Sequence, residues 1–455
     1  MDLHIDLAEA PGRSLRARLE HALREAMRSG RLSADERLPS TRDLAVGLGV
    51  SRGVVVDAYA QLAAEGYLRT ARGGGTRVAA TVAPTSPPVP APTRPDRIRY
   101  DLSPFRPALG AIPRRTLMAA FARVLRDTPD ERLGLPDPAG TLELRAALSS
   151  YLGRVRGVQA AAEELVITNG TRNSLSLVWR ALAAQGVRRV ATEDPGWSGV
   201  TETAVDAGLR AVPVPVDEQG LCVDELRMKA VEAVAVAPAH QYPTGAVLSA
   251  PRRTAILEWA RAGARIVIED DYDAEYRYDH QPIGSLQGLA PDHVIYAGSS
   301  SKTVAPSLRL GWIVVPPRLR DRIVESKRTA GTTPSPIFQL AFADMIDRGE
   351  LDRHLRRQRR RYQQQREALL TALGTELPEL TVHGAAAGLY AVMELPRELD
   401  EAAVLEAARA RGLALEGRGT DAPGLVLGYA DIDAAAIKPA VSELAASIDD
   451  ARGAD

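Results

Sequence analysis

The 455-residue sequence is short of several things, and each shortage excludes something. It has one cysteine, Cys222, so no internal disulfide framework can hold it, and a reducing cytoplasm is the expected compartment. It has no apolar run long enough to span a bilayer. Its first residues, Met1-Asp2-Leu3-His4-Ile5-Asp6, lack the basic-then-apolar pattern of a secretion signal. It has almost no net charge, −1, so any surface for nucleic acid must be local. Lysine is scarce as well: Lys229, Lys302, Lys327 and Lys438 stand against a large arginine population. A lysine kept in such a chain raises the question of what an amine does that a guanidinium does not. An amine can lose its proton and attack a carbonyl to form a Schiff base, while arginine stays charged.

What is present fits a multidomain globular protein. A hydrophobic fraction of 45% and a charged fraction of 25% are ordinary for such chains, and the length exceeds one core, so two or three domains are expected. Ser14 to Ser29 reads as an amphipathic helix, with Leu15, Leu19, Ala22, Leu23, Ala26 and Met27 on one face. Ser40 with Asp43 makes a capping-box-like start for a short second helix. Gly47 and Gly49 interrupt it, and Ser51 is expected to cap a third helix, Arg52 to Glu65. Two short helices around a glycine turn suggest a helix-turn-helix. Gly66 to Thr70 and Thr76 to Ala79 then read as a hairpin whose tip is Ala71-Arg72-Gly73-Gly74-Gly75, a basic wing. A small helical domain that binds a protein would share this topology. Arginines at helix starts and in the wing favour phosphates and base edges.

Arg37-Leu38-Pro39-Ser40-Thr41-Arg42-Asp43-Leu44-Ala45, Leu48-Gly49-Val50-Ser51-Arg52 and Leu62-Ala63-Ala64-Glu65-Gly66-Tyr67-Leu68 closely resemble the winged-helix domain of GntR-type bacterial transcription regulators. The resemblance implies DNA contacts from Arg37, Ser40, Arg42, Ser51, Arg52 and the wing near Gly74. Val54 departs from it, since the family often has Thr there.

Ala80 to Arg97 holds Pro84, Pro87, Pro88, Pro90, Pro92 and Pro95, and reads as a semi-rigid linker. Beyond it, apolar runs alternate with helical stretches, the signature of βαβ units and a mostly parallel sheet. The runs are Leu165-Thr168, Val190-Thr192, Val234-Ala237, Ile266-Ile268 and Val294-Tyr296. Each empties into polar or turn residues, and ligands of open α/β sheets sit beyond the carboxyl ends of strands. Five segments are therefore expected to converge on one pocket. Gly170-Thr171-Arg172 opens a helix and can hold an anion, or is an ordinary turn. Trp197 is a core residue or a flat platform. Asp270, at a buried strand end, needs a cation: an arginine or a protonated ring nitrogen. Tyr272 can donate to a ligand or cover the sheet. Ser299, Ser301 and Arg309 can clamp a phosphate beside Lys302.

A Schiff-base lysine, a carboxylate for a ring nitrogen, an aromatic platform and a phosphate cup together describe pyridoxal 5′-phosphate chemistry. From about Asp101 onward the chain resembles fold-type I aminotransferases. The motifs are Asp137-Pro138-Ala139-Gly140, Glu193-Asp194-Pro195-Gly196, Gln241-Tyr242-Pro243-Thr244-Gly245, Glu269-Asp270-Asp271-Tyr272, Ser299-Ser300-Ser301-Lys302 and Ala386-Ala387-Gly388-Leu389. Their order after a winged helix is similar to that of MocR-type regulators. The fold class implied is an N-terminal winged helix-turn-helix plus a C-terminal α/β fold-type I domain with a smaller α+β subdomain. The expected boundaries are 1–79, a linker over 80–97, a large region over 98–320 and a small one over 321–455.

The resemblance implies that Lys302 forms the Schiff base, Asp270 holds the pyridine nitrogen, Tyr272 the phenolic oxygen, and Trp197 stacks on the ring. It implies that Thr171, Arg172, Ser299, Ser301 and Arg309 hold the phosphate. It also implies a head-to-tail homodimer. Three departures bear on turnover. Tyr242 stands where aminotransferases often have the Asn of Asn-Pro-Thr-Gly. Leu135 stands where a Tyr often reaches the partner subunit. Val426 stands where an Arg commonly grips a substrate carboxylate, with Arg418 the nearest upstream candidate. The expected function is a transcription regulator that binds operator DNA and senses pyridoxal phosphate or an amine effector, with vitamin B6 synthesis as one candidate pathway. The alternative is a working aminotransferase carrying a DNA-binding module.

Overall fold

The computed structural model describes residues 7, 10–71, 75–79, 98–279, 283–383, 387–419 and 422–453. The chain divides into two compact units between Arg94 and Pro95, and each is taken by itself. Gly74 and the Pro-rich stretch lie outside the described residues.

The first unit is three helices and a hairpin. Helix α1 is Leu15–Arg28, α2 Thr41–Leu48 and α3 Arg52–Ala64. Strands β1, Leu68–Ala71, and β2, Gly75–Val78, pair antiparallel with Leu68 opposite Val78. Ser14 caps α1, its hydroxyl accepting from the Ala17 N–H at 3.2 Å. The inward stripe of α1 (Leu19, Leu23, Met27) packs against Val55, Ala58, Tyr59 and Leu62 of α3. Leu19, Leu23 and Leu62 are fully buried, each contributing about 1.5–3 kcal/mol. At α2 the Ser40 hydroxyl accepts from the Asp43 N–H at 3.2 Å and donates to the Asp43 carboxylate at 2.7 Å. The reciprocal bond of a capping box is thus diverted to the side chain, because Asp is a methylene shorter than Glu. Gly49, at φ +66, ends α2 in the left-handed conformation that glycine adopts without strain. The expected cap at α3 differs: Ser51 occupies the position, but its hydroxyl makes no capping bond.

The second unit is built on an eight-stranded sheet. A short β3, Tyr100–Asp101, precedes it. Its strands are β4 Leu165–Thr168, β5 Arg189–Asp194, β6 Arg210–Asp217, β7 Gly220–Leu221, β8 Ala233–Val236, β9 Ile266–Asp271, β10 Val294–Ser299 and β11 Gly311–Val314. They lie in the order β4-β11-β10-β9-β8-β5-β6-β7. The ladders joining β10, β9, β8, β5 and β6 are parallel, and β11 runs antiparallel between β4 and β10. Strands β4, β8, β10 and β11 are buried along their whole length, as strands of a sheet covered on both faces must be.

Three strands of this sheet escaped the sequence reading, β6, β11 and the two-residue β7, the first two for physical reasons. β6 carries Pro213 and Pro215, which cannot donate to a ladder, but its outer edge meets only the two-residue β7. β11 follows the Lys302 loop directly and has no polar run of its own to mark its start. The polar ends of β9 and β10 also remain in the ladder, with Ala297 opposite Asp270 and Gly298 opposite Asp271.

A smaller antiparallel sheet combines Val382–His383, Tyr390–Glu394, Gly424–Gly428 and Glu416–Gly417. Helices Glu350–Glu376 and Ala434–Arg452 pack together beside it. Among the described residues no helix is long and apolar enough to cross a membrane.

Candidate functional site

The carboxyl ends of β4, β5, β8, β9 and β10 open onto one cavity of about 410 Å³, a size suited to a small organic ligand. Thr171, Arg172, Trp197, Asp270, Tyr272, Ser299, Ser301, Lys302 and Arg309 all line it. The chain therefore brings these sequence-predicted residues together. Phe105, Glu193, Val200 and Tyr242 complete much of the wall.

Gly170, at φ +100, turns the chain from β4 into the helix Thr171–Ala184, whose first N–H groups face the cavity end of the sheet. A Cβ on Gly311 would lie 2.7 Å from the Gly170 Cα, so glycine at 311 lets these two backbones approach. Arg309 is held in the left-handed region at φ +47, with its guanidinium beside Gly170. Ser299 and Ser301 share a hydroxyl hydrogen bond of 2.9 Å, while Ser300 turns away to the Leu310 carbonyl. Arg172 lies 5.5 Å over the Trp197 ring and pairs with Glu202 at 2.6 Å, an exposed bond of little worth.

The two carboxylates at the end of β9 part company. Asp271 takes the arginine: its Oδ2 accepts from Arg156 Nε at 2.7 Å and from the Tyr296 hydroxyl at 2.7 Å. Asp270 gets none, and its Oδ1 is enclosed without a hydrogen-bond partner. Burial pushes the Asp270 carboxyl up to about 7, with Asp271 and Asp273 adding and Lys302 opposing. Burial pushes Glu193 up to about 8, against bonds from the Ala237 N–H and the Gln241 amide.

Lys302 Nζ donates to the Phe105 main-chain carbonyl at 2.6 Å and lies 5.1 Å from the centre of its ring. Burial lowers its amine to about 8, against the upward pull of Asp273 and Asp270. Lys327 is also buried, but its amine is committed to the Pro138 carbonyl in the turn after residue 137. The Tyr272 hydroxyl donates to the His240 carbonyl at 2.8 Å and lies 3.1 Å from the Tyr390 hydroxyl.

Of the aromatic residues lining the cavity, Phe105 alone was not marked by the sequence. Phe105 sits at φ +63, unusual for a bulky residue, with its ring 4.4 Å from Tyr242 and 5.5 Å from Tyr272. Beneath them lies Val426, fully buried with Tyr390 and Val392. Arg418 is turned to Glu394 and does not line the cavity. Leu135 is fully exposed.

In the first unit Arg37, Ser40, Arg42, Ser51 and Arg52 are all exposed. Among the described residues Arg37, Arg42 and Arg52 enter no ion pair, whereas Arg69 pairs with Asp35 and Arg77 donates to the Asp35 carbonyl at 2.7 Å. Ser40 is occupied by its bonds to Asp43, and Val54 is partly buried against the helical core.

Known proteins match both units. Residues 15–78 match the model for bacterial regulatory proteins of the gntR family, and residues 110–417 the model for aminotransferase class I and II. The probable rhizopine catabolism regulatory protein MocR of Rhizobium meliloti is 32% identical over 94% of this chain and 92% of its own. The HTH-type pyridoxine biosynthesis transcriptional regulator PdxR of Corynebacterium glutamicum is 32% identical over 98% of this chain and 99% of its own. Among solved structures, LysN, an alpha-aminoadipate aminotransferase of Thermus thermophilus complexed with N-(5′-phosphopyridoxyl)-L-leucine, is 26% identical. Its TM-score is 0.71, covering 79% of this chain and 94% of LysN. The chain belongs to the MocR-type family of transcription regulators, in which a GntR-type DNA-binding domain is joined to an aminotransferase-like domain.

Proposed function

We propose that this regulator holds pyridoxal 5′-phosphate on Lys302 and uses it to sense its signal. The observation that carries the reading is that Asp270, which among the described residues has no ion-pair partner, lines the same cavity as a lysine with a lowered proton affinity. A buried carboxylate without a cation is costly, and a protonated ring nitrogen is the cation that removes the cost. The rest of the lining fits the same group. Trp197 offers a face for the ring, and Tyr272 would hold its oxygen once its hydroxyl turns from the His240 carbonyl. Thr171, Arg172, Ser299, Ser301, Arg309 and the helix N-terminus form a cup for the phosphate. The bound cofactor supplies an aldehyde conjugated to a pyridinium, which captures amines reversibly and absorbs visible light.

Signalling rather than turnover is favoured by the surroundings of Val426. Val426 is buried among apolar and aromatic side chains, and the guanidiniums that line the cavity, Arg172 and Arg309, belong to the phosphate cup. A carboxylate effector therefore lacks a free cationic partner among the described residues that line the cavity. Pyridoxal phosphate itself, or an amine without a carboxylate, suits the cavity better, in keeping with a regulator of vitamin B6 synthesis. Occupancy then biases a conformational equilibrium of a head-to-tail homodimer. Residues 1–79 meet the operator through Arg37, Ser40, Arg42, Ser51 and Arg52, with 80–97 as linker.

The test joins absorbance to DNA binding. Purified protein should show a visible band with pyridoxal phosphate that disappears in Lys302→Ala. It should retard DNA from upstream of its own gene, with an affinity that changes on cofactor addition. A colourless wild type refutes the cofactor, and unchanged operator affinity refutes the sensing. Sustained exchange of an amino acid with a keto acid would move the reading to a working aminotransferase.

A further inference from the structure

Helix α3 carries three valines in a row, Val54, Val55 and Val56. Branching at Cβ makes each a mediocre helix former, so each needs a compensating contact. Val55 is fully buried in the core of the first unit, and Val54 packs against that core partly buried. Val56 points away from it and is 43% exposed. One turn before Val56, on the same face, stands Arg52. Helix α2 repeats the arrangement, with Val46, 79% exposed, one turn after Arg42. Arg52 Nε donates to Thr41 Oγ1 at 3.4 Å, which ties the starts of the two helices together. Among the described residues the ion pairs of this unit are made by Arg16, Arg24, Arg28 and Arg69. Arg42 and Arg52 therefore keep their charge for an anion outside the chain.

We propose that Val56 is a specificity-determining residue, which packs on the C5 methyl of a thymine in the major groove of the operator. This deepens the operator-binding reading above and rests on it. The exposed residues of α3 are Arg52, Gly53, Val56, Asp57, Ala60 and Ala64. Of these, only Arg52 can donate a hydrogen bond from its side chain. Past its first turn, this face offers a base edge one acceptor, Asp57, and otherwise apolar surface. The major groove admits an α-helix, and the apolar group that it presents is the thymine methyl. The arginines supply attraction to phosphates, which is blind to sequence, and Val56 supplies a choice of base. A cytosine in the same place would leave its amino group facing a valine that cannot accept from it. Val46 is as apolar but sits on the first helix of the pair, which crosses the backbone and meets no base edge.

The experiment compares two versions of the DNA upstream of its own gene, one made with thymine and one with uracil, which lacks only the C5 methyl. Retardation by the full chain is measured on both at one salt and one cofactor concentration. Wild type should bind the uracil duplex about fourfold more weakly for each methyl that it buries. Val56→Ser should bind the thymine duplex more weakly than wild type and lose the difference between the two duplexes. Val46→Ser should keep that difference. Val56→Ala, a better helix former than valine, carries the test should Val56→Ser not fold. Equal binding of both duplexes by wild type overturns the proposal. So does a difference that survives undiminished in the Val56 variants, or one that Val46→Ser abolishes. A wild type that retards neither duplex fails the operator reading and this inference with it. Retardation without a Val56-dependent difference fails the inference alone.

Discussion

The state of the Lys302 amine makes the sharpest prediction. To attack an aldehyde it must be unprotonated. Burial lowers its affinity for a proton to about 8, from an ordinary 10.5. At pH 7 an amine of pKa about 8 is neutral in roughly one molecule in ten, against roughly one in three thousand for an exposed lysine, a difference of about 300-fold. The second-order rate of cofactor capture should therefore rise about tenfold per pH unit up to about pH 8 and then level off. Stopped-flow growth of the visible band across pH 6 to 10 measures it (the range is about two units either side of the bend). Lys302→Arg, which keeps the charge but cannot form the bond, should show no band at any pH. Asp270→Asn removes one carboxylate that raises Lys302, so its bend should move to lower pH. A rate still climbing through pH 10, or flat below pH 8, would refute the argument. It would mean that the amine is solvated, or that proton loss is coupled to release from the Phe105 carbonyl.

Three other outcomes follow from the geometry. Arg156→Met strands Asp271 with only the Tyr296 hydroxyl, in a pair whose side chains are 4% and 2% exposed. It should cost about 3–5 kcal/mol in urea unfolding of the second unit, and a loss under about 1 kcal/mol would show the pair dispensable. Arg42→Ala and Arg52→Ala should weaken operator retardation and reduce its salt slope by about one each, while the visible band stays intact. Val426→Arg would bury a cation among Tyr390, Val392 and the Phe105–Tyr242 wall, and should cost several kcal/mol, read as lost soluble yield. A folded Val426→Arg protein that gained a response to carboxylate ligands would contradict the packing described for that wall.

How much of this was legible depends on the range of the contact. Strands β4, β5, β8, β9 and β10 could be read because a strand covered on both faces must be a run of apolar residues, and the polar residues after each run had to lie at one end of the sheet. That placed Thr171, Trp197, Asp270, Tyr272, Ser299 and Lys302 together before any coordinates. β6 was hidden by its prolines. The partition between Asp270 and Asp271 was hidden too, since adjacent carboxylates look alike until the strand's pleat sends one to Arg156 and the other to the cavity. Phe105 reaches Lys302 across a separation of 197 residues, and no residue around it marks the left-handed backbone that aims its carbonyl at the amine. His240 and Asp273 directly adjoin quoted motifs, one before residues 241–245 and one after 269–272, yet their pairing depends on Gly388 leaving room. Local pattern thus showed which groups meet, and distant contacts set the proton balance among them. A lysine with strong counter-charges and one with weak ones have the same sequence signature. Phe105 and the His240–Asp273 pair are thus residues that local pattern does not mark, whereas Val426 could be singled out by its place in the sequence.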